Sequence, residues 1–255
     1  MKLIQIDSII SIGNKKYTAN LLEPIDISIP LRSGPNNIHA WYVGDAQFKA
    51  VENENWIGDV SRGGAVNFRD IYFNPHGHGT HTECVGHISK ENYTINQCLK
   101  NFFFLAQLIS IAPDRINDDK VITAKQLMDS KLQNNVQALV IRTLPNNKEK
   151  LSKHYSSSNP PYLQAAAVGF ILQQGIDHLL VDLPSIDREH DEGELAAHHL
   201  FWNYPNLPAL HRSITEFVYI PDEVEDGLYL LNIQISPFEN DAAPSKPLLF
   251  QLMEK

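Results

Sequence analysis

Residues 74–87, NPHGHGTHTECVGH, place four histidines (His76, His78, His81, His87), one glutamate (Glu83) and one cysteine (Cys84) within fourteen positions. Imidazole nitrogens and a carboxylate together suit Zn²⁺ or another divalent ion. In an extended segment His81 and Glu83, two apart, point to the same side. On a helix His78 and His81, or Glu83 and His87, become neighbours instead. Gly77, Gly79 and Gly86 permit a tight loop around them. Four imidazoles set among glycines and beside an acid favour a metal-binding segment over a solvated surface loop. The spacing excludes an HExxH helix. Cys84 reads as a small packing residue, because a buried free cysteine behaves mainly as a small hydrophobe.

Such side chains need a frame. Upstream, residues 26–31, 38–44 and 65–74 carry strand-like alternation or β-branched and aromatic residues, punctuated by Gly and Asn turns. An apolar run at 102–111 follows the histidines. The texture then alternates: helix at 123–133, strand at 136–144, helix at 160–175, strand at 178–184, helix at 192–203. Prolines open the 160–175 segment and a glycine closes it, the usual helix asymmetry. Strands follow at 213–220, 227–236 and 247–253. A β-rich beginning feeding βαβα units predicts one mixed α/β domain over residues 1–255, with no linker.

Several motifs fall in the order found in one known family. GTHTECVGH (79–87) resembles the G-T-H-x-D-x-P-x-H signature of the cyclase-like metal-dependent hydrolases, which include bacterial kynurenine formamidase and isatin hydrolase. GIDHLLVDLPSID (175–187), AHHLFW (197–202) and SITEFV (213–218) are similar to its downstream segments, and IDISIPL and WYVGD to its opening ones. The resemblance implies a swivelling β/β/α fold and a metal site holding one or two ions. It implies His81, Glu83, His198 and Glu216 as ligands, His199 being the rival of His198. It also implies His87 as the acid/base histidine. Zinc is the expected metal, with manganese the alternative because two carboxylates take part.

The chain leaves the family pattern at four places. The first ligand histidine would fall on Gly77, flanked by His76 and His78. A one-residue bulge delivering His76 is favoured over His78, since Gly77 and Gly79 make it inexpensive. Glu83 stands where the family has aspartate, and Val85 where it has proline. Residues 203–212, NYPNLPALHR, form an insertion expected near the pocket. The expected activity is hydrolysis of a linear or cyclic amide, arylformamidase-like. The rival reading is a non-catalytic protein binding a metal or small acid on the same fold.

Composition sets outer bounds. The 255 residues carry a net charge of -9, which argues against a nucleic-acid surface. No apolar stretch is long enough to span a membrane and no leader is evident at the start, MKLIQIDSIISIGNKK, so a cytoplasmic protein is expected. Two cysteines make no disulfide framework. GxSxG, GxGxxG and P-loop sequences are absent. Asp182 and Asp187 read as shaping a strand exit, and the acidic run 187–194, with His190, as a solvated turn before a helix. The expected partners are a small amide or lactam and further copies of the chain, as a homodimer or homotetramer. The aromatic stretch 201–208 is a candidate contact.

Overall fold

The computed structural model describes residues 7–255. One sheet dominates it, and its eight strands are numbered here in chain order: β1 (Ile25–Asp26), β2 (His81–Glu83), β3 (Phe103–Ile111), β4 (Ala138–Thr143), β5 (His178–Val181), β6 (Ser213–Glu216), β7 (Gly227–Ile235) and β8 (Ala242–Gln251). They run in the order β7-β3-β4-β5-β6-β2-β8-β1, and β7 also pairs with β8. That extra pairing closes seven strands into a barrel, with β1 appended on β8. The barrel has two halves: β3, β4, β5 and β6 are mutually parallel, while β6–β2, β2–β8, β8–β7 and β7–β3 are antiparallel.

Among the described residues there are four α-helices: the single turn α1 (Ile95–Cys98), α2 (Ala124–Asp129), α3 (Ala165–Gln173) and α4 (Ala196–Trp202). The last three are the crossovers of the parallel half, as such connections require. Alternation along the strands separates two cores. Leu139, Ile141, Leu179, Val181 and Ile214 face the helices, where they meet Val168, Ile171, Phe201 and Trp202. Phe104, Leu108, Val140, Leu180, Leu231 and Leu249 fill the barrel interior, with Cys84 among them. Phe201 and Trp202 are therefore core residues and unavailable for an interface; in the 201–208 stretch it is Leu207 that stands exposed.

Local chemistry sets the element ends. Thr123 and Gln126 form a reciprocal capping box at α2. The prolines at 160 and 161 do not open α3 as the sequence suggests. Leu163 N donates to Ile186 O and Gln164 N to Ile122 O, which holds Tyr162–Leu163 as a short strand beside Val121–Ile122. The 38–44 segment is not a strand either. Trp41 and Tyr42 turn through the left-handed region (φ 61° and 56°), leaving only isolated bridges at His39. Of residues 26–31 only Asp26, the end of β1, lies in a strand of the sheet; beyond, Ile29 N donates to the Thr80 hydroxyl. Arg69–Tyr72 pairs with Gln47–Ala50 in a hairpin that exposes Val60, Val66, Phe68, Ile71 and Tyr72. Residues 1–6 of the N-terminal segment lie outside the described residues. Among the described residues no helix is long and apolar enough to cross a membrane.

His178, at the start of β5, offers a pH test of this core. Its Nδ1 pairs with Ser213 Oγ at 2.8 Å and its ring lies 3.9 Å from that of Phe104. Burial pushes its pKa down to about 4, against a smaller upward pull from Asp177. A folded pKa below the unfolded value of about 6.5 gives stability that is complete above pH 6.5 and lost as pH falls toward 4. Urea denaturation should show His178→Gln escaping a loss of roughly 2–3 kcal/mol that the parent chain suffers between pH 7 and pH 4.5. Parallel stability curves for the two proteins would refute it.

Candidate metal centre and its cavity

β2 is flanked by β6 on one side and β8 on the other, where the parallel half of the barrel meets the antiparallel half. His81 pairs in register with Glu216, and Glu83 with Ile214. Alternation then puts His81, Glu83 and Glu216 on one face, the face toward α4. Thr82 and Thr215 turn to the other side, where their hydroxyls meet at 2.8 Å. Across the gap α4 presents His198, whose Nε2 lies 3.3 Å from Glu83 Oε1 and 4.0 Å from Glu216 Oε1. All four of these side chains are buried.

The loop before β2 adds His76. Asn74 O accepts from both Gly77 N and His78 N, a tight turn that projects His76 inward. His76 Nδ1 comes within 3.0 Å of Glu83 Oε2. His78 does not join. It accepts from Asn74 N at its Nδ1 and donates to Gly44 O from its Nε2, so neither ring nitrogen is free for a metal. Of the two rivals it is therefore His76 that reaches the cluster, while both His78 ring nitrogens are taken up in the loop. His199 is likewise turned away, donating from Nδ1 to Tyr204 O. His87 sits in the 3₁₀ turn Val85–His87 after β2, its Nδ1 3.9 Å from Glu83 Oε2.

The imidazoles share one design. His81 Nδ1 donates to Gly79 O at 3.2 Å, His198 Nδ1 to Asp187 Oδ2 at 2.6 Å, and His76 Nε2 to Asp241 Oδ2 at 2.7 Å. Each tie fixes one ring nitrogen and turns the other toward Glu83 or Glu216, the arrangement that orients metal-binding histidines. Three buried atoms there have no hydrogen-bond partner: His81 Nε2, Glu83 Oε2 and Glu216 Oε1. The 3.0 Å approach of His76 Nδ1 to Glu83 Oε2 is misaligned for a hydrogen bond, so that oxygen stays unsatisfied. Buried polar atoms are rarely left so.

Charge tells the same story. Burial would raise the Glu83 pKa, yet His87, His198 and His76 hold it well below the usual carboxylate range. Burial, then repulsion from Glu83, pushes Glu216 up. Burial disfavours charge on His76 and His198, but neighbouring carboxylates prevail: Asp241 and Glu83 lift His76 to about 10, and Asp187, Glu83 and Glu216 lift His198 to about 10. Without another cation, protons on His76 and His198 are what offset the buried Glu83 carboxylate. A divalent ion fits this donor set. His76, His81 and Glu83 bring ligand atoms within 4.8 Å of one another, as do Glu83, His87 and His198.

Two aspartates escaped the sequence reading. Asp187 does more than shape a strand exit. It accepts from Ala197 N and His198 N, capping α4, while also fixing the His198 ring. The signal was its place before a predicted helix bearing a candidate ligand. Asp187→Asn keeps an acceptor for the helix amides but weakens the hold on His198. Metal affinity, read by chelator competition, should fall about 10–100-fold with the fold intact; unchanged affinity would rule this role out. Asp241, just before β8, meets both His76 and His87, the latter at 3.4 Å. No motif marks it. Only the pairing of β8 with β2 brings it there.

Cys84 points into the barrel, and the neighbouring Cys98 together with burial pushes its thiol pKa up, as suits packing. Asp182 is structural, accepting from Thr143 N and Lys150 Nζ. His190 is exposed, near the Tyr42 hydroxyl. A cavity of about 400 Å³ opens over the cluster, lined by Trp41, Val43, Asn74, Ser185 and Leu195 together with His76, His87, His198 and Glu216. Residues 203–212 do not line it. Instead Tyr204 Oη accepts from Lys90 N, bracing the turn beyond His87.

Fold and site thus define a class, mixed α/β barrels with a buried cluster of histidines and carboxylates, able to hold a metal ion, on the helix-facing side of the sheet. The sequence model of the Cyclase family matches residues 25–188. The chain belongs to that family. The kynurenine formamidase of Bacillus thuringiensis (strain Al Hakam) is 30% identical over 231 residues, spanning 89% of this chain and 97% of the relative. That of Bacillus anthracis is 29% identical over 229 residues, 88% and 96% of the two. Among solved structures, isatin hydrolase A from Labrenzia aggregata superposes with a TM-score of 0.66 at 12% identity, covering 89% of this chain and 93% of that one. A potential metal-dependent hydrolase with cyclase activity gives 0.64 at 16% identity, covering 89% and 97%.

Proposed function

We propose that this chain is a metal-dependent hydrolase of amide-type bonds, acting on a small linear aryl amide or a lactam. The supporting observation is the trio of unsatisfied buried atoms, on His81, Glu83 and Glu216, beneath a cavity that His87 also lines. His76, His81, Glu83, His198 and Glu216 would hold the ion. When bound, a divalent metal supplies Lewis acidity to a carbonyl and to an attacking water.

The protein's own groups do the rest. Trp41, Val43 and Leu195 give the cavity an apolar wall suited to an aromatic ring, while Asn74 and Ser185 offer polar contacts. His87, half-open to the cavity, takes a proton from water and passes one to the departing nitrogen, since imidazole serves both directions near neutral pH. We read the metal as zinc because the site is imidazole-rich, with manganese second because two carboxylates take part. The hairpin carrying Phe68, Ile71 and Tyr72 supports self-association as a homodimer or homotetramer. The two free thiols suit a reducing cytoplasm.

The test joins metal analysis to turnover. Purified protein, supplemented with Zn²⁺ or Mn²⁺, should hold about one or two ions and hydrolyse an N-formylarylamine or an aryl lactam. Failure to retain any divalent ion sinks the reading. Tight metal with no product from formyl amides or lactams would point to the binding-only alternative.

A further inference from the structure

Asp241 lies outside every motif that marks the site, yet one of its oxygens meets two imidazoles. Its Oδ2 is 2.7 Å from His76 Nε2 and 3.4 Å from His87 Nδ1, and the two rings stack with centroids 4.2 Å apart. The backbone around it is firmly held. Cys84 N donates to Asp241 O, and Ile95 N to Asn240 O. Glu239 accepts from the Thr94 hydroxyl and the side-chain amides of Asn96 and Gln97. Gly86 is part of the same arrangement. A Cβ there would lie 2.0 Å from Tyr93 O, so glycine is what lets the His87 turn pack against the Tyr93 backbone, with the Asp241 Cβ beside it at 3.1 Å.

We propose that Asp241 is a positioning residue that sets the ring orientation and tautomer of His76 and His87 at once. Accepting from His76 Nε2 leaves His76 Nδ1, which faces Glu83, as the ligand nitrogen. The same oxygen, 3.4 Å from His87 Nδ1, favours the proton at that nitrogen and leaves His87 Nε2 as the one available to the cavity. One carboxylate thereby ties the metal-holding half of the site to the proton-carrying half. The second part rests on the hydrolase reading. Amide hydrolysis forms a C–O bond from water, breaks the C–N bond and must deliver one of the water's protons to the leaving nitrogen. A misoriented His87 therefore harms amides most, and esters with a stable phenolate leaving group least.

The test uses the full chain and Asp241→Asn, which keeps shape and removes charge, with Asp241→Glu as the restoring variant. Long-range ¹⁵N–¹H NMR of the parent protein should show His87 protonated at Nδ1, with that signature lost in Asp241→Asn. Zn²⁺ affinity by chelator competition should fall about 10–100-fold. At saturating metal, kcat for formanilide should fall about a hundredfold with KM within about threefold, while p-nitrophenyl acetate loses less than about tenfold. Asp241→Glu should recover at least part of the amide activity. Equal losses on amide and ester, or His87 protonated at Nε2 in the parent chain, would overturn the proposal. A parent protein that cleaves neither of these substrates nor an aryl lactam would defeat the hydrolase reading alone, and the NMR and metal measurements would still decide the role of Asp241.

Discussion

Glu83→Gln leaves the purified protein with little or no divalent metal, and turnover falls with it by at least about a thousandfold. The reason lies in how much converges on that one carboxylate. It is fully buried, with His198 Nε2 at 3.3 Å from Oε1 and His76 Nδ1 at 3.0 Å from Oε2. Glutamine preserves the volume but removes the anion that the surrounding imidazoles hold in its charged form. Weakening beyond the roughly 10–100-fold typical of a residue that only orients a ligand is expected, because a donor atom itself is lost. Metal content by mass spectrometry, beside circular dichroism to confirm folding, settles it. A folded variant with the parent's stoichiometry and affinity would show that Glu83 does not hold the ion.

His87→Ala has the opposite signature. The metal stays and kcat falls about 10²–10⁴-fold, the usual contribution of a placed acid/base group. Unlike the strand-borne donors, His87 is partly open, with 31% of its side chain exposed, and it lines the cavity. Its nearest approach to Glu83 is 3.9 Å, longer than those of His76 and His198. Measuring metal and kcat on the same preparation separates the two roles. Coincident loss of both would make His87 a ligand, an arrangement that the grouping of Glu83, His87 and His198 permits geometrically.

The alternating half of the fold was legible because periodicity reports burial on two faces. β4, β5 and the helices α2 and α3 fall where the pattern puts them, with ends shortened by local chemistry. α4 starts at Ala196 because Leu195 takes a left-handed conformation (φ 43°), a tertiary constraint that no propensity expresses. The 38–44 segment failed for a related reason. Its aromatic residues look like a strand, yet Trp41 is wanted at the cavity, and the chain turns sharply to put it there. Within the site, the ordered motifs pointed to His81, Glu83, His198 and Glu216, and the structure gathers these four. The choice between His76 and His78 needed coordinates, because it depends on which ring already has two hydrogen-bond partners. Asp241 was invisible, being 154 positions beyond His87 in a segment with no recognisable chemistry of its own.

The short strand at the centre of the site carries a rule of parity. β2 has three residues, and both its neighbours read it in register: His81 against Glu216 on one side, His81 against Pro244 on the other. Sliding it by one place would carry His81 and Glu83 into the barrel interior and bring a hydroxyl out in their stead. The flanking loops can therefore lengthen or shorten, provided the strand itself keeps its phase. In this chain, evolution and engineering alike have freedom in how many residues approach the metal, and none in whether the count along β2 is odd or even.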